Sequence, residues 1–245
     1  MGTVAAGGVR YRRPAWRAYL LLSRVSNLPT VWSNVLAGVV ASHAAVRWPD
    51  VARLAIGVSL LYTAGMFLND AFDRDIDAIE RPDRPIPAGD VRARAVFVSG
   101  FAMLAAGEAV IAFQPHFIGP LAWGLALAAA IVFYDSRHKR NPFGPVVMGI
   151  CRGLVYIVAA AATAVTVGPG VVVAAVGLAA YVVALTQVAK RLGPRAGVAV
   201  PLLIAGISLF DAGVVAVNGG GAALALSAAA GFPLTLMLQR YVPGT

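Results

Sequence analysis

Residues 51–80 read VARLAIGVSLLYTAGMFLNDAFDRDIDAIE. Residues 51–72 carry only Arg53 and Asp70 as charges, and a helix of this length crosses the hydrocarbon of a bilayer. Acidic residues follow at once, and seven of the chain's eleven lie between Asp70 and Asp90. Carboxylates crowded beside a membrane repel one another unless water, basic groups or divalent cations compensate them. The stretch therefore predicts a membrane helix that ends in a metal-assisted site for an anionic ligand.

The composition of the whole chain indicates an integral membrane protein. Of its 245 residues 59% are hydrophobic and 13% charged, with a mean hydropathy of +0.77, so charged residues are too few to cover a soluble core. Apolar segments recur at 16–42, 51–72, 91–113, 117–134, 143–166, 171–189, 196–217 and 221–239. They lack the alternation of barrel strands. We expect an all-α, polytopic transmembrane helical bundle of about eight helices, between seven and nine, forming a single domain over residues 1–245 with a basic tail at 1–15.

Basic residues occupy alternate loops and account for the net charge of +9. They are Arg10, Arg12, Arg13 and Arg17 before the first span, Arg74, Arg81, Arg84, Arg92 and Arg94 after the second, Arg137, Lys139 and Arg140 after the fourth, Lys190, Arg191 and Arg195 after the sixth, and Arg240 after the eighth. The positive-inside rule places both termini and the acidic stretch in the cytoplasm. This pattern predicts a multi-pass protein of a bacterial inner membrane whose site faces the cytoplasm, and no nucleic-acid partner.

The acidic stretch has helical spacing. A helix that continues past residue 72 brings five polar side chains onto one third of its circumference. They are Asn69, Asp70, Asp73, Asp77 and Glu80. Carboxylates one turn apart can share Mg²⁺ through oxygen ligands. Three prolines between Arg81 and Gly89 then end the helix. The alternative is a solvated helix end, with Asp75 and Asp83 paired to nearby arginines.

These residues also carry a family resemblance. The pattern Asn-Asp-x-x-Asp-x-x-x-Asp from Asn69, followed by Arg-Pro-x-Arg-Pro-Ile-Pro-x-Gly from Arg81, resembles the first aspartate-rich motif of the UbiA superfamily of intramembrane prenyltransferases. The segment 24–30 looks like the family's first helix, and 134–140 looks like its basic loop. The segment 144–154 is similar to the divergent Ebo-type branch. The resemblance implies Mg²⁺-dependent transfer of a prenyl group from a polyprenyl diphosphate to a lipophilic aromatic or hydroxyl acceptor, among membrane lipids.

The resemblance, together with the charged residues in and beside the spans, predicts a set of site residues. Asp70, Asp73 and Asp77 would hold Mg²⁺ and act in catalysis together with Lys139 and Arg140. Substrate would be bound by Arg24, Asn27, Asn34, Asn69, Tyr134, Arg137, Arg152, Lys190 and Arg191.

Several buried polar residues keep two interpretations. The stripe that contains Asn27 and Asn34 either lines a cavity or joins helices by hydrogen bonds. Arg152, inside a span, needs a partner, which is the acidic cluster, a ligand phosphate or Asp135. Glu108 and Asp211 stand alone in their spans and are either packing or cavity residues.

One family feature is missing. Where relatives end the sixth span with a second aspartate-rich motif, residues 181–193 supply Lys190 and Arg191 and no carboxylate. These cations can neutralise phosphate but do not provide a metal template. The alternative function is therefore a lipid-phosphate binding or translocating protein that has lost prenyl transfer.

Overall fold

The computed structural model describes residues 13–114, 118–137, 142–164, 166–192 and 196–244, without the side chains of Ala196 and Val198. Within these ranges the chain forms α-helices and one 3₁₀ helix, and no strand. The helices are α1 (Ala15–Ser23), the 3₁₀ helix (Val25–Asn27), α2 (Leu28–Ala41), α3 (Trp48–Phe72), α4 (Arg74–Glu80), α5 (Ala93–Ala112), α6 (Ile118–Arg137), α7 (Gly144–Thr163), α8 (Pro169–Leu192), α9 (Ala196–Val217), α10 (Gly221–Ala229) and α11 (Gly231–Gln239). The prediction of an all-α bundle is confirmed.

Seven segments of the described chain are long and apolar enough to cross a membrane. They are α3, α5, α6, α7, α8, α9 and the pair α10–α11. Each coincides with one of the predicted spans, so the chain is a multi-pass membrane protein.

The first predicted span, 16–42, is not one continuous helix. Arg24 interrupts it with a left-handed backbone conformation (φ 45°, ψ 41°), and the 3₁₀ helix follows before α2 begins. A residue with a Cβ atom adopts this conformation at a cost of about 1 kcal/mol, which the surrounding contacts must offset. The apolar pattern alone did not reveal the break, because both halves are apolar enough to be read as one span.

Helix α2 lies at the centre of the bundle, and twelve of its fourteen residues are buried. Side chains of α2 and α7 contribute to both large apolar clusters. One cluster joins them to α3, α5 and α6, and the other joins them to α8, α9 and α10. Because α2 is enclosed by protein, its polar side chains have to find protein partners.

Two glycines bring α7 and α8 close together. A Cβ atom on Gly149 would lie 2.7 Å from the Ala179 carbonyl oxygen, and one on Gly153 would lie 2.8 Å from that of Ala175. A larger residue at either glycine would therefore push α7 and α8 apart. Gly149 and Gly153 thus form a small-residue face that allows close helix packing, and Arg152 stands one residue before Gly153.

Candidate functional site

The acidic residues share one buried face. The break between α3 and α4 at Asp73 is slight (φ −81°, ψ −4°), and the amide of Asp73 still donates to the Asn69 carbonyl at 2.9 Å. The amide of Asp77 likewise donates to the Asp73 carbonyl at 2.8 Å. As a result Asn69, Asp70, Asp73 and Asp77 are all buried, whereas Asp75 and Glu80 are exposed. The predicted shared face is confirmed for these four residues, whereas Glu80, which was predicted on the same face, is exposed.

Two arginines neutralise this face. Arg24 Nη2 lies 2.8 Å from Asp70 Oδ1, and Arg84 Nη1 lies 3.0 Å from the same oxygen. Arg84 also contacts Asp77 Oδ2 at 2.7 Å. The left-handed turn at Arg24 and the proline-rich loop that carries Arg84 thus direct guanidinium groups at the same carboxylates. Arg84 was not among the predicted site residues, although it stands in the second half of the quoted motif.

The carboxylates have the donor chemistry of a Mg²⁺ site. Asp77 Oδ1 is buried and accepts no hydrogen bond among the described residues, which leaves one oxygen available for a cation. Within the described chain no three His, Cys, Asp or Glu side chains are already gathered as a metal site. The guanidinium of Arg84 lies between Asp70 and Asp77, where it neutralises them in place of a metal ion. The residues therefore fit Mg²⁺, but an ion would compete with Arg84 for the same oxygens.

A cavity of about 360 Å³, here called the polar cavity, lies beside this face. Its polar lining consists of Arg24, Asn27, Tyr62, Asn69, Asp73, Arg81, Arg84, Arg152 and Thr186. Arg24 and Arg84 are already paired with Asp70 and Asp77, so it is chiefly Arg81 and Arg152 that make the cavity favourable for an anion. Arg24, Arg81 and Arg84 also line a second, outer cavity of about 450 Å³ together with Asp70 and Glu80.

A third cavity, here called the apolar cavity, has a volume of about 110 Å³ and lies between α2, α3, α6 and α7. Most of its lining is apolar, for example Val31, Val58 and Leu127, and Asp135 and Arg152 are its charged lining residues. It shares four lining residues with the polar cavity: Tyr62, Met66, Met148 and Arg152. A space for an anionic group therefore adjoins a space for an apolar chain.

Several predicted substrate residues reach these cavities. Asn27 lines the polar cavity and donates from Nδ2 to the Tyr62 hydroxyl at 3.0 Å and to the Gly244 carbonyl at 3.0 Å. Asn69 also lines it and donates from Nδ2 to Asp135 Oδ1 at 3.3 Å. Tyr134 lines the apolar cavity. Tyr62, which connects both cavities, was missed because a single Tyr in an apolar span gives no signal.

Arg152 and Asn34 form a pair at the cavity junction. Arg152 Nη1 donates to Asn34 Oδ1 at 2.8 Å, and its guanidinium carbon lies 5.5 Å from the centre of the Tyr62 ring. Among the described residues Arg152 is hydrogen-bonded to Asn34 and to neither Asp135 nor the acidic cluster, and contact with a ligand phosphate stays a prediction. Asn34 is fully buried behind Arg152 and lines none of the three cavities.

Other predicted site residues do not reach the cavities. Arg137 is exposed and stacks on Phe133 at 5.5 Å. Lys190 and Arg191 are exposed at the end of α8, whose inward face carries Thr186 and Ala189 instead. Lys190 and Arg191 line none of the three cavities, and the substrate-binding role expected for them stays a prediction. Lys139 and Arg140 lie outside the described residues, so a role for them stays a prediction.

The fold and the site define an α-helical membrane protein in which buried acidic and basic side chains surround a polar cavity next to an apolar one. The model of the UbiA prenyltransferase family matches residues 27–243. The chain therefore belongs to this family. The similarity to the Ebo-type branch stays a prediction.

Archaeal proteins named digeranylgeranylglyceryl phosphate synthase are similar to this chain. That of Methanoregula boonei is 44% identical over 129 residues, which are 52% of this chain and 44% of the relative. That of Halobacterium salinarum is 28% identical over 166 residues, 67% of this chain and 60% of the relative. The aligned part spans about half the length of the curated relatives that the chain matches.

Solved structures share the fold. One, described as that of a digeranylgeranylglyceryl phosphate synthase in membranes, superposes with a TM-score of 0.60 at 18% identity, covering 94% of this chain and 88% of that one. A UbiA homologue from Aeropyrum pernix K1 gives 0.58 at 20% identity, covering 86% and 87%.

Proposed function

We propose that this chain transfers a prenyl group from a polyprenyl diphosphate to a hydroxyl group of a lipophilic acceptor within the membrane. The observation that carries the proposal is the junction of the arginine-lined polar cavity with the apolar cavity. A prenyl diphosphate has one multiply charged anionic end and one apolar end, and the paired cavities match both. Membership of the UbiA prenyltransferase family supports the reaction class.

The acceptor class is suggested by the relatives. They are named digeranylgeranylglyceryl phosphate synthases, which implies an acceptor that carries a hydroxyl and a phosphate. Of the aromatic and hydroxyl acceptors expected from the sequence, we therefore favour a hydroxyl-bearing lipid phosphate. The arginines shared by the polar and outer cavities, Arg24, Arg81 and Arg84, offer charge for more than one phosphate.

The chain's own residues prepare the leaving group. Arg24, Arg84 and Arg152 would neutralise the diphosphate as the bond between its oxygen and the allylic carbon breaks. Asp70, Asp73 and Asp77 would hold Mg²⁺, which when bound supplies further positive charge to the diphosphate. The aliphatic lining of the apolar cavity would keep water from the prenyl cation until the acceptor oxygen forms the new carbon–oxygen bond and releases its proton.

The placement of the protein follows from the charged loops. We propose that one domain spans the chain, that both termini lie in the cytoplasm, and that the cavities open to that side. Residence in a bacterial inner membrane stays a prediction, and the relatives quoted above are archaeal.

The proposal is tested by reconstituting the chain in lipid vesicles with prenyl diphosphates, Mg²⁺ and either a glycerophosphate lipid or an aromatic acceptor. Diphosphate release and prenylated product are followed by mass spectrometry. Asp73→Ala and Asp77→Ala are each expected to lower release at least about a hundredfold, because carboxylates that bind the leaving group's counter-ion act in the transition state.

Asp75→Ala is the matched control, since Asp75 is exposed, lies in the same helix as Asp77 and pairs at the surface with Arg74 at 3.3 Å. Its release rate is expected to stay within about twofold of wild type, as for an exposed ion pair. Equal losses in all three variants would contradict the proposed site.

A lipid-phosphate binding or translocating protein is the second candidate. It is favoured by the end of α8, where Lys190 and Arg191 are exposed and carboxylates of a second metal site are absent from the described helix. Purified wild-type protein that binds prenyl diphosphate but never releases diphosphate with any acceptor would select this candidate.

A further inference from the structure

Asp211 in α9 is a carboxylate buried completely within a membrane span. It accepts hydrogen bonds from the hydroxyl groups of Ser33 and Tyr156 and from Asn34. Three donors from α2 and α7 thus converge on one carboxylate of a third helix. Such convergence stabilises the charged form, but a charge at this depth still needs an opposite charge nearby.

The opposite charge is Arg152, and Asn34 lies between the two. Asn34 Nδ2 donates to Asp211 Oδ1 at 2.9 Å and to Oδ2 at 2.8 Å, while Asn34 Oδ1 accepts from Arg152 Nη1 at 2.8 Å. A carboxylate only accepts hydrogen bonds and a guanidinium only donates them. The reversed amide would place oxygen against oxygen and N–H against N–H, so the charge of Asp211 determines which end of Asn34 meets Arg152.

Arg152 in turn lines both the polar and the apolar cavity. Its described hydrogen bond uses one of five guanidinium donors, and the flat face lies over the Tyr62 ring. The remaining donors belong to a group held at the point where a charged ligand end would meet its apolar chain.

We infer that Asp211 is a positioning residue which, through Asn34, holds the Arg152 guanidinium at the cavity junction to bind the phosphate end of a prenyl diphosphate. The inference rests on the proposed function for the identity of the ligand. It assigns roles to an isolated acidic residue and to a buried amide that line none of the three cavities themselves.

The test compares affinity for farnesyl diphosphate, a short prenyl diphosphate, in purified protein. Asp211→Asn keeps the size of the side chain and removes its charge, which weakens the hydrogen bonds that anchor the Asn34 amide and, through it, the Arg152 guanidinium. The dissociation constant is expected to rise about tenfold, the loss of one charge-assisted hydrogen bond. Under turnover KM should rise more than kcat falls.

Glu108→Gln is the matched control. Glu108 is another buried carboxyl inside a span, in α5, and it lines none of the three cavities. The same chemical change there is expected to leave the dissociation constant within about twofold of wild type.

A double-variant cycle separates positioning from general stability. If Asp211 acts through Arg152, then adding Asp211→Asn to Arg152→Gln should change the dissociation constant by less than about twofold. A full additional loss in the double variant, or an unchanged constant in Asp211→Asn alone, overturns the inference. If Asp211→Asn does not fold, Asn34→Ala tests the same relay, since Asp211 keeps its bonds to Ser33 and Tyr156.

The two proposals fail in different ways. Wild-type protein that binds farnesyl diphosphate without forming product contradicts prenyl transfer, while the comparison of dissociation constants still decides the role of Asp211. Product formation with unaltered affinity in Asp211→Asn contradicts only the positioning role. Wild-type protein that binds no prenyl diphosphate contradicts both.

Discussion

Arg84 occupies the position between two carboxylates that a metal cation would otherwise take. Its guanidinium bridges Asp70 and Asp77, and its side chain is 17% exposed, so the bridge is largely shielded from water. Two carboxylates that close to one another repel unless a positive charge lies between them. The same carboxylate oxygens suit Mg²⁺, so the Arg84 guanidinium and the metal ion would compete for them. When Mg²⁺ displaces Arg84, its guanidinium is available to bind a phosphate group.

Arg84→Gln tests whether Arg84 and Mg²⁺ compete for the same carboxylates. In EDTA the variant should lose about 3 kcal/mol of unfolding free energy, because Asp70 and Asp77 lose their shared counter-charge. Mg²⁺ should restore much of that loss by binding the folded form, and should stabilise the variant more than wild type. Thermal unfolding with and without Mg²⁺ measures both effects.

Arg74→Gln is the control for this prediction. The Arg74 side chain is 42% exposed and pairs with Asp75 at the surface, where an ion pair contributes about 0–1 kcal/mol. A Mg²⁺ response no larger in Arg84→Gln than in Arg74→Gln would mean that the carboxylates do not bind the metal.

Among the helices, the break between α1 and α2 positions two residues of the site. A continuous helix over 16–42 would carry Arg24 with helical backbone geometry, whereas the left-handed turn aims it at Asp70. The 3₁₀ helix that follows places Asn27 at the polar cavity. Strain in the backbone is thus compensated by an ion pair within the site.

Two substitutions of Arg24 separate the strain from the ion pair. Arg24→Gly and Arg24→Ala both remove the guanidinium, and both should reduce diphosphate release to a similar extent. Arg24→Gly should be the more stable by about 1 kcal/mol, because only glycine adopts the left-handed conformation without cost. Chemical unfolding of the two variants measures the difference, and equal stability would show that the turn relaxes to a helix.

At the scale of the molecule, the bundle arranges two cavities end to end. Met66 and Tyr62 on α3 line both cavities, and Val58, one turn further from the acidic end, lines only the apolar one. A prenyl chain that starts at Arg152 would therefore extend towards Val58. The depth of this cavity is then expected to limit chain length.

Val58→Phe should shift the preferred prenyl diphosphate to a shorter chain, because the larger ring fills the apolar cavity while the polar cavity is unchanged. Competition between prenyl diphosphates of different length, read out by mass spectrometry of the products, measures the shift. Ile56→Phe is the control on the same helix, since Ile56 is 58% exposed and faces away from the cavity. An equal preference in both variants would place the chain elsewhere.

The membrane spans and the acidic face at the end of α3 could be predicted from the amino-acid sequence alone. Hydrophobic length and the 3.6-residue period are local properties of a helix, so residues 51–80 already specify which side chains share a face. Asn69, Asp70, Asp73 and Asp77 were found this way. The family resemblance added Arg24, and the position of Arg152 inside an apolar span singled it out; the structure places both at the polar cavity.

The hydrogen-bond and ion-pair partners of the buried charged residues follow from how the helices pack together in the folded protein. Arg84 with Asp77, and Arg152 with Asn34 and Asp211, depend on which helices lie side by side and on how a loop returns. Hydrophobic patterning does not specify neighbours in a membrane, because lipid is as apolar as the side chains that pack there. Neighbours are chosen instead by close fits such as Gly153 against Ala175 and by buried polar contacts, which join residues more than a hundred positions apart, as Asn34 is from Arg152.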